Sequence, residues 1–140
     1  MAELERIEIV DSALRSLTAA LRRRDADGVL ALFHDDAVLF GSEDGELAVG
    51  VLELREFLAR IFDRPGTYGW SGWEPVLTGG TQDLLWFVAP ATVVVRDDAV
   101  GEESAPYRLS GVLEPGSDGR WLFRVFNGAE PVSTADEPRA

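Results

Sequence analysis

The chain has 140 residues, of which 46% are hydrophobic and 27% are charged, a composition typical of one folded domain rather than a disordered segment. Its 25 acidic residues outnumber its 13 basic ones and leave a formal net charge of -12, which argues against nucleic acid and anionic membranes as partners, because both attract basic proteins. The absence of cysteine excludes a disulfide framework and a thiolate metal site.

The N-terminal sequence lacks the features of a targeting segment. Glu3, Glu5 and Glu8 stand where a signal peptide needs a basic start and an unbroken apolar run. The longest uncharged stretch, residues 84–95, is far shorter than the ~20 apolar residues that span a bilayer, and Pro90 interrupts it. The sequence therefore predicts a cytoplasmic protein without a membrane segment.

Two helices are predicted at the start of the chain. Apolar residues recur every three or four positions from Leu4 to Leu21, which is the spacing of one side of an α-helix. Acidic residues open this helix and three arginines, residues 22–24, close it, as the helix dipole favours. Asp25 or Asp27 is suited to cap a second, short helix that continues as far as Phe33.

The next segment, VLFGSEDGELAVG, predicts two short strands, "AVLF" and "ELAV", joined by a turn over residues 41–45. A third helix then starts at Gly50 and ends at Pro65. The acids of the turn, Glu43, Asp44 and Glu46, have two interpretations. They are either a solvated turn that leads the chain into its next helix, or a source of a general base at the mouth of a pocket.

The second half of the chain predicts long antiparallel strands in a meander. Pro90 cannot donate to a ladder, so it predicts a bulge or bend within its strand. Period-two alternation places Tyr68 and Trp70 on one face of their strand and Trp73 on the other. The four strand-like segments are TYGWSGWEPVLTG, DLLWFVAPATVVVR, YRLSGVLEPG and RWLFRVFNGA.

Together these elements predict an α+β domain in which the helices cover one face of a strongly curved, mostly antiparallel sheet. Residues 1–131 are predicted to form this single domain, and residues 132–140 a flexible C-terminal tail.

The stretches ALFHDDAVLFGSEDGELAVG, DLLWFVAPATVVV and DGRWLFRVFNGAEP, taken in this order, resemble the SnoaL-like branch of the nuclear transport factor 2-like superfamily. The resemblance implies that the three N-terminal helices form a cone against the curved sheet, with an internal pocket for a small apolar molecule. It further implies proton-transfer chemistry of the isomerase, lyase or cyclase type and a homodimer formed through the outer sheet face. This chain also differs from the similar isomerases, because their catalytic aspartate aligns with Gly41. The histidines of many members of the closest branch align with Val125 and Asn127, so those groups are missing as well.

Several residues are candidates for a site, and each has a structural alternative. His34, the only histidine, is either an acid-base group or a surface residue at a helix end. Arg108 either meets an anionic ligand group or pairs with a carboxylate such as Glu74 or Glu114. The aromatic residues serve a pocket or fill the core, and the Asn127 amide orients a ligand or satisfies backbone groups. The predicted catalytic residues are His34 and Glu46, and the predicted pocket residues are Phe40, Trp70, Trp86, Arg108 and Asn127.

Two functional hypotheses follow. The first is a small-molecule-binding domain, with proton-transfer chemistry on an apolar carbonyl compound if it is an enzyme. The second is a non-enzymatic association module, a homodimer whose cone is filled by side chains. No metal ion is predicted, because one histidine without thiolates leaves only carboxylates and their spacing is not that of a calcium loop. No cofactor is predicted either.

Overall fold

The computed structural model describes residues 1–132, so the predicted tail lies outside the described residues apart from Val132. These residues form three helices and seven strands, and the predicted α+β class is confirmed. Within the described part, none of the helices combines the length and hydrophobicity that spanning a membrane requires. The elements are α1 (Glu3–Arg22), α2 (Ala26–Leu30), β1 (Phe33–Phe40), β2 (Leu47–Val49), α3 (Gly50–Asp63), β3 (Thr67–Ser71), β4 (Leu77–Gly80), β5 (Leu85–Asp97), β6 (Gly101–Pro115) and β7 (Trp121–Ala129).

The corner between α1 and α2 forms as the sequence predicts, but α2 is shorter. The Asp25 carboxylate accepts a hydrogen bond of 2.9 Å from the backbone N–H of Gly28 and so caps the helix. The helix ends at Leu30, and Phe33 already opens β1. The backbone N–H of Phe123 in β7 donates to the carbonyl of Leu32. This hydrogen bond pairs the chain at Leu32 with the sheet, so the helix does not continue for another turn.

The seven strands form one curved, mixed sheet in the order β2-β1-β7-β6-β5-β3, with β4 paired to β5. Strands β5, β6 and β7 form the predicted antiparallel meander, whereas β1 joins β7 in parallel. The helices cover one face, the inner face, and bury a shared apolar core against it. Fully buried members of that core include Leu14, Leu54, Phe87, Leu109 and Phe123.

One predicted strand is two strands in the structure. The segment after α3 breaks between Ser71 and Leu77, where Gly72 has a positive φ of 62°. Trp73 therefore lies in a loop rather than on a strand face, and its indole N–H donates to Asp11 at 2.9 Å.

Pro90 produces no bulge in its own strand, so of the two predicted alternatives, a bulge or a bend, the bulge is wrong. Strand β5 pairs with β4 over residues 85–88 and with β3 over residues 92–96, and its register with β6 is continuous through Pro90. Pro90 thus lies where one edge of β5 has no neighbour, a place where a residue without a backbone N–H disrupts least.

The bulge lies instead at Arg124. Val125 faces Val112 and Phe123 faces Leu113, so Arg124 is an extra residue in β7. Side chains of a strand alternate between the two faces of the sheet, and the extra residue shifts this alternation by one position. Phe123 and Phe126, which are three positions apart, are therefore both buried on the inner face. Arg124 pairs with Asp36 and, at 3.3 Å, with Glu114.

Candidate functional site

A cavity of about 240 Å³ lies between the helices and the inner face of the sheet. Its wall is mostly apolar, which is typical of a small-molecule site. Both helices and sheet contribute to the wall. The lining residues include Leu17 and Leu21 of α1, Phe57 and Leu58 of α3, and Val93 and Phe126 of the sheet. Exposed lining residues form the mouth, among them Phe40, Ser42, Glu43, Arg64, Pro65 and Glu130.

Glu46 lines this cavity and is half-buried. Its carboxylate Oε1 accepts a hydrogen bond of 2.9 Å from the backbone N–H of Glu43, and its backbone carbonyl accepts one of 2.7 Å from Gly41. A Cβ atom on Gly41 would lie 2.5 Å from that same Oε1. The Glu46 carboxylate therefore occupies the space into which a side chain at position 41 would project.

Arginine side chains connect the end of α3 both to the turn of Glu43 and to the end of α1. The Arg64 guanidinium pairs with the Glu43 carboxylate at 3.2 Å, and Arg24 donates to the backbone carbonyls of Phe62 and Arg64. Because both partners of the Arg64–Glu43 pair are more than half exposed, the pair contributes about 0–1 kcal/mol to folding. The main effect of the pair is to fix the position of Glu43, because the backbone N–H of Glu43 donates the hydrogen bond that orients the Glu46 carboxylate.

Three polar aromatic groups lie together elsewhere on the wall. The hydroxyls of Tyr68 and Tyr107 are 3.2 Å apart and hydrogen-bonded, and the Trp70 ring packs against both, with centroid distances of 5.3 Å and 6.0 Å. A Cβ on Gly128 would lie 2.6 Å from the Tyr107 hydroxyl oxygen, so the glycine makes room for that group. These residues belong to β3, β6 and β7, which the sheet brings together.

Burial raises the pKa of Tyr68 well above its ordinary value, and the Tyr107 hydroxyl raises it further. The negative charge of Glu46 acts in the same direction, whereas the indole N–H of Trp70 lowers the pKa. Tyr68 is therefore a neutral hydrogen-bond donor across the physiological pH range.

This pKa shift predicts a loss of stability in alkali. Below the ordinary tyrosine pKa of 10.0, Tyr68 is protonated in both the folded and the unfolded chain, and the stability is fully present. Above that pH, the tyrosine of the unfolded chain ionises while the folded one stays protonated. The free energy of unfolding therefore falls as the pH rises. The chain has two tyrosines and no lysine or cysteine, so few other groups titrate in this window. Between about pH 9 and 11 the free energy of unfolding should fall by about 1.4 kcal/mol in total more in the wild type than in Tyr68→Phe.

Urea denaturation at several values between about pH 9 and 11 measures this difference. Equal slopes for the two proteins would show that Tyr68 ionises as readily in the folded chain as in the unfolded one.

The structure brings three of the predicted site residues to the cavity. Glu46 and Trp70 line its wall, and Phe40 lines its mouth with 49% of its surface exposed. Tyr107 was missed, although period-two alternation places it on the face opposite the predicted Arg108 and thus toward the core.

The other four predicted residues lie outside the cavity, which corrects their expected position. The His34 ring lies on β1, where Nε2 is 3.0 Å from the carbonyl of Glu114. Trp86 and Arg108 are exposed on β5 and β6, and within residues 1–132 Arg108 makes neither predicted ion pair. The Arg124 bulge turns Asn127 to the outer face, where its amide donates to the Ser110 hydroxyl at 3.2 Å.

No group of three His, Asp or Glu side chains within residues 1–132 is placed to hold a metal ion. The absence of a metal stays a prediction of the sequence.

Structures of similar fold carry diverse names. A protein of Novosphingobium aromaticivorans, provisionally named an aromatic ring hydroxylase, is 18% identical over 95% of this chain and 94% of its own, with a TM-score of 0.80. A Xanthomonas campestris protein, provisionally named a calcium/calmodulin-dependent protein kinase II association domain, is 16% identical over 89% and 87%, with a TM-score of 0.78. A ketosteroid isomerase-like protein of Erwinia carotovora atroseptica is 22% identical over 92% and 98%, with a TM-score of 0.73.

At these identities the structures establish a shared fold and nothing finer. Among curated proteins, no sequence matches. The family model of the SnoaL-like domain, however, matches residues 10–123, which is most of the chain. The protein is a member of the SnoaL-like domain family.

Proposed function

We propose that the cavity binds a small apolar carbonyl compound and that Glu46 transfers a proton to and from the carbon next to the carbonyl. The observation that carries this proposal is one apolar cavity that holds both a carboxylate and a pair of hydrogen-bonded tyrosine hydroxyls. A carboxylate is a suitable base, and neutral hydroxyls are suitable donors to an oxygen that becomes negatively charged.

In the proposed reaction, a Glu46 oxygen takes the proton from the carbon atom. The C–H bonding electrons form a carbon–carbon double bond, and the carbonyl π electrons move to the oxygen to give an enolate. The Tyr107 hydroxyl accepts from Tyr68, so its own hydrogen can donate to that oxygen and stabilise the negative charge. If the Glu46 carboxyl exchanges its proton with solvent before protonating the same carbon, the compound gains a solvent hydrogen there. Protonation of a conjugated carbon instead isomerises the compound.

The position of Glu46 supports its role. The isomerases that the sequence resembles have their catalytic aspartate where this chain has Gly41, and a side chain there would project to the site of the Glu46 carboxylate. A carboxylate from the far end of the turn thus replaces one from the end of β1. The likeness in fold to a protein named ketosteroid isomerase-like is consistent with this chemistry.

Deuterium exchange tests the proposal. The probe is 2-tetralone, a small apolar ketone with acidic C–H bonds next to its carbonyl, and NMR follows its loss of protons in deuterated buffer. We expect the wild type to accelerate exchange and Glu46→Gln to lose the acceleration. Asp44→Asn makes the matching change on an exposed acid of the same turn and should keep it, as should His34→Ala. Acceleration that is equal in wild type and Glu46→Gln would contradict the role of Glu46.

A second function is favoured by the outer face of the sheet. Trp86 and Val88 are large apolar residues of β5 on this face, yet 45% and 47% of their surfaces are exposed in the single chain. Exposed apolar patches of this kind usually mark an interface. We propose that two copies of the chain associate through this face, which is compatible with a ligand in the cavity on the opposite side.

A charged substitution tests the association. Trp86→Glu places a carboxylate in the proposed interface and should convert a dimer into a monomer, because an unpaired charge is costly to bury. Val100→Glu, in the turn between β5 and β6, is the control and should leave the dimer intact. Light scattering after size-exclusion chromatography measures the mass. A wild type that is monomeric at high concentration, or a Trp86→Glu variant that stays dimeric, would contradict this interface.

A further inference from the structure

We propose that a groove between α1 and the start of β7 binds a basic amphipathic helix of a partner protein. The groove has a volume of about 590 Å³ and is called the α1–β7 groove below. It is separate from the cavity, since the two share no lining residue. The cavity takes Leu17 and Leu21 from α1, whereas the groove takes residues from the N-terminal part of that helix. The inference is therefore independent of the proposed function.

The α1 side of the groove has the shape that another helix needs. Its lining residues form two rows with a spacing of four or three residues along the helix, namely Glu5, Ile9 and Ala13, and Glu8, Ser12 and Ser16. From Glu5 to Ser16 the rows extend over about 16 Å, the length of three helical turns. Ser12, Ala13 and Ser16 have small side chains, which allow a second helix to approach closely. A helix in a groove is a common mode of peptide recognition.

The opposite side of the groove is apolar and only partly covered. Leu32, Trp121 and Leu122 line it, and all three are half-buried, as is Ile9 on α1. Leu32, Trp121 and Ile9 also pack against the core, so their remaining surface is what the groove exposes. Apolar surface left open in this way usually marks an interaction site. The apolar face of an amphipathic helix would cover it.

Charge selects a basic partner. Glu5 and Glu8 are exposed at one end of the groove, one helical turn apart. Arg120 also lines the groove, but its guanidinium pairs with Asp118 at 2.6 Å. The lining is therefore negatively charged, which favours lysines or arginines beside the apolar face of the partner. A second copy of this chain, with its own net charge of -12, is disfavoured for the same reason.

A designed peptide tests the groove. The probe has about 15 residues of leucine, alanine and lysine, with the leucines on one face of the helix. One control peptide has the same residues in scrambled order, and another has glutamate in place of lysine. The readout is the ¹⁵N–¹H NMR spectrum of the full chain, in which the Trp121 indole signal is identified by its loss in Trp121→Phe. We expect this signal to shift and saturate with the probe, and both controls to bind at least about tenfold more weakly.

Two double variants separate the groove from the general attraction between an acidic chain and a basic peptide. Glu5→Gln/Glu8→Gln should weaken binding of the probe about tenfold, the effect of two exposed ion pairs. Asp98→Asn/Glu103→Gln removes the same charge from the exposed hairpin of β5 and β6 and should leave the affinity nearly unchanged. Ser12→Gln adds bulk without charge at an exposed position of α1, and it should weaken binding while the protein stays folded.

Several results would overturn the inference. These are equal binding of the three peptides, a Trp121 signal that does not move, and equal weakening in the two double variants. A probe that shifts the Trp86 signal instead would assign binding to the outer face of the sheet. A Trp121 signal that moves when the free protein is diluted would assign the groove to a second copy. A Trp121 signal that responds to octylammonium but not to the probe would assign the groove to a small organic cation.

Discussion

Phe123→Ala is expected to lower the free energy of unfolding by about 3–5 kcal/mol. Phe123 is 1% exposed, and its ring lies 5.2 Å from Phe33, 6.1 Å from Phe87 and 5.4 Å from Phe126, measured between centroids. Its removal would leave a void where β1, β5 and β7 meet. Close-packed neighbours cannot fully collapse into such a void, so both the burial of the ring and the contacts around it are lost.

Urea denaturation followed by circular dichroism measures this change. The matched control is Phe40→Ala, since Phe40 is 49% exposed at the cavity mouth and should cost less than about 1 kcal/mol. Losses of similar size in the two variants would contradict the placement of Phe123 at the centre of the core.

Glu46→Gln is expected to slow protein-catalysed exchange of 2-tetralone by about 10²- to 10⁴-fold, the usual contribution of a general base. The glutamine side chain has nearly the same size and retains an oxygen that can accept from the backbone N–H of Glu43. The turn should therefore keep its shape, and the free energy of unfolding should change by no more than about 0.5 kcal/mol. The exchange rates and the urea midpoints are measured on the same samples.

The combination of these two readouts is what assigns Glu46 its role. A large loss of exchange with unchanged stability supports a base that acts on the ligand. Loss of exchange together with a large loss of stability would instead assign Glu46 to the structure of the turn. Asp44→Asn should change neither quantity, because Asp44 is exposed and does not line the cavity.

Much of the fold is predictable because its signals are local. The spacing of Val10, Leu14 and Leu17 defines α1, and the Asp25 cap fixes the start of α2. The failures occur where tertiary pairing overrides the local pattern. Leu32 leaves the helix because the backbone of β7 pairs with it. Pro90 fits a strand of continuous register because β3 and β4 leave a gap beside it.

The candidate site was only partly predictable for the same reason. Alternation along β7 assigns Asn127 to the inner face, but the extra residue at Arg124 reverses every position after it. The local sequence around Arg124 contains no pattern that predicts this bulge. The Glu46 carboxylate was recognised as a candidate, but only the packing of the turn against the cavity distinguishes a lining residue from a solvated one.

Titration of the labelled protein with 2-tetralone, followed through the four tryptophan indole N–H signals in a ¹⁵N–¹H NMR spectrum, tests the ligand cavity most directly. Trp70 lines the cavity, whereas Trp86 lies on the outer face and the Trp73 indole N–H is hydrogen-bonded to Asp11. The proposed cavity predicts that the Trp70 signal, identified by its loss in Trp70→Phe, shifts and saturates while the other three stay in place. A titration in which the Trp70 signal does not move, or in which only another indole responds, would contradict it.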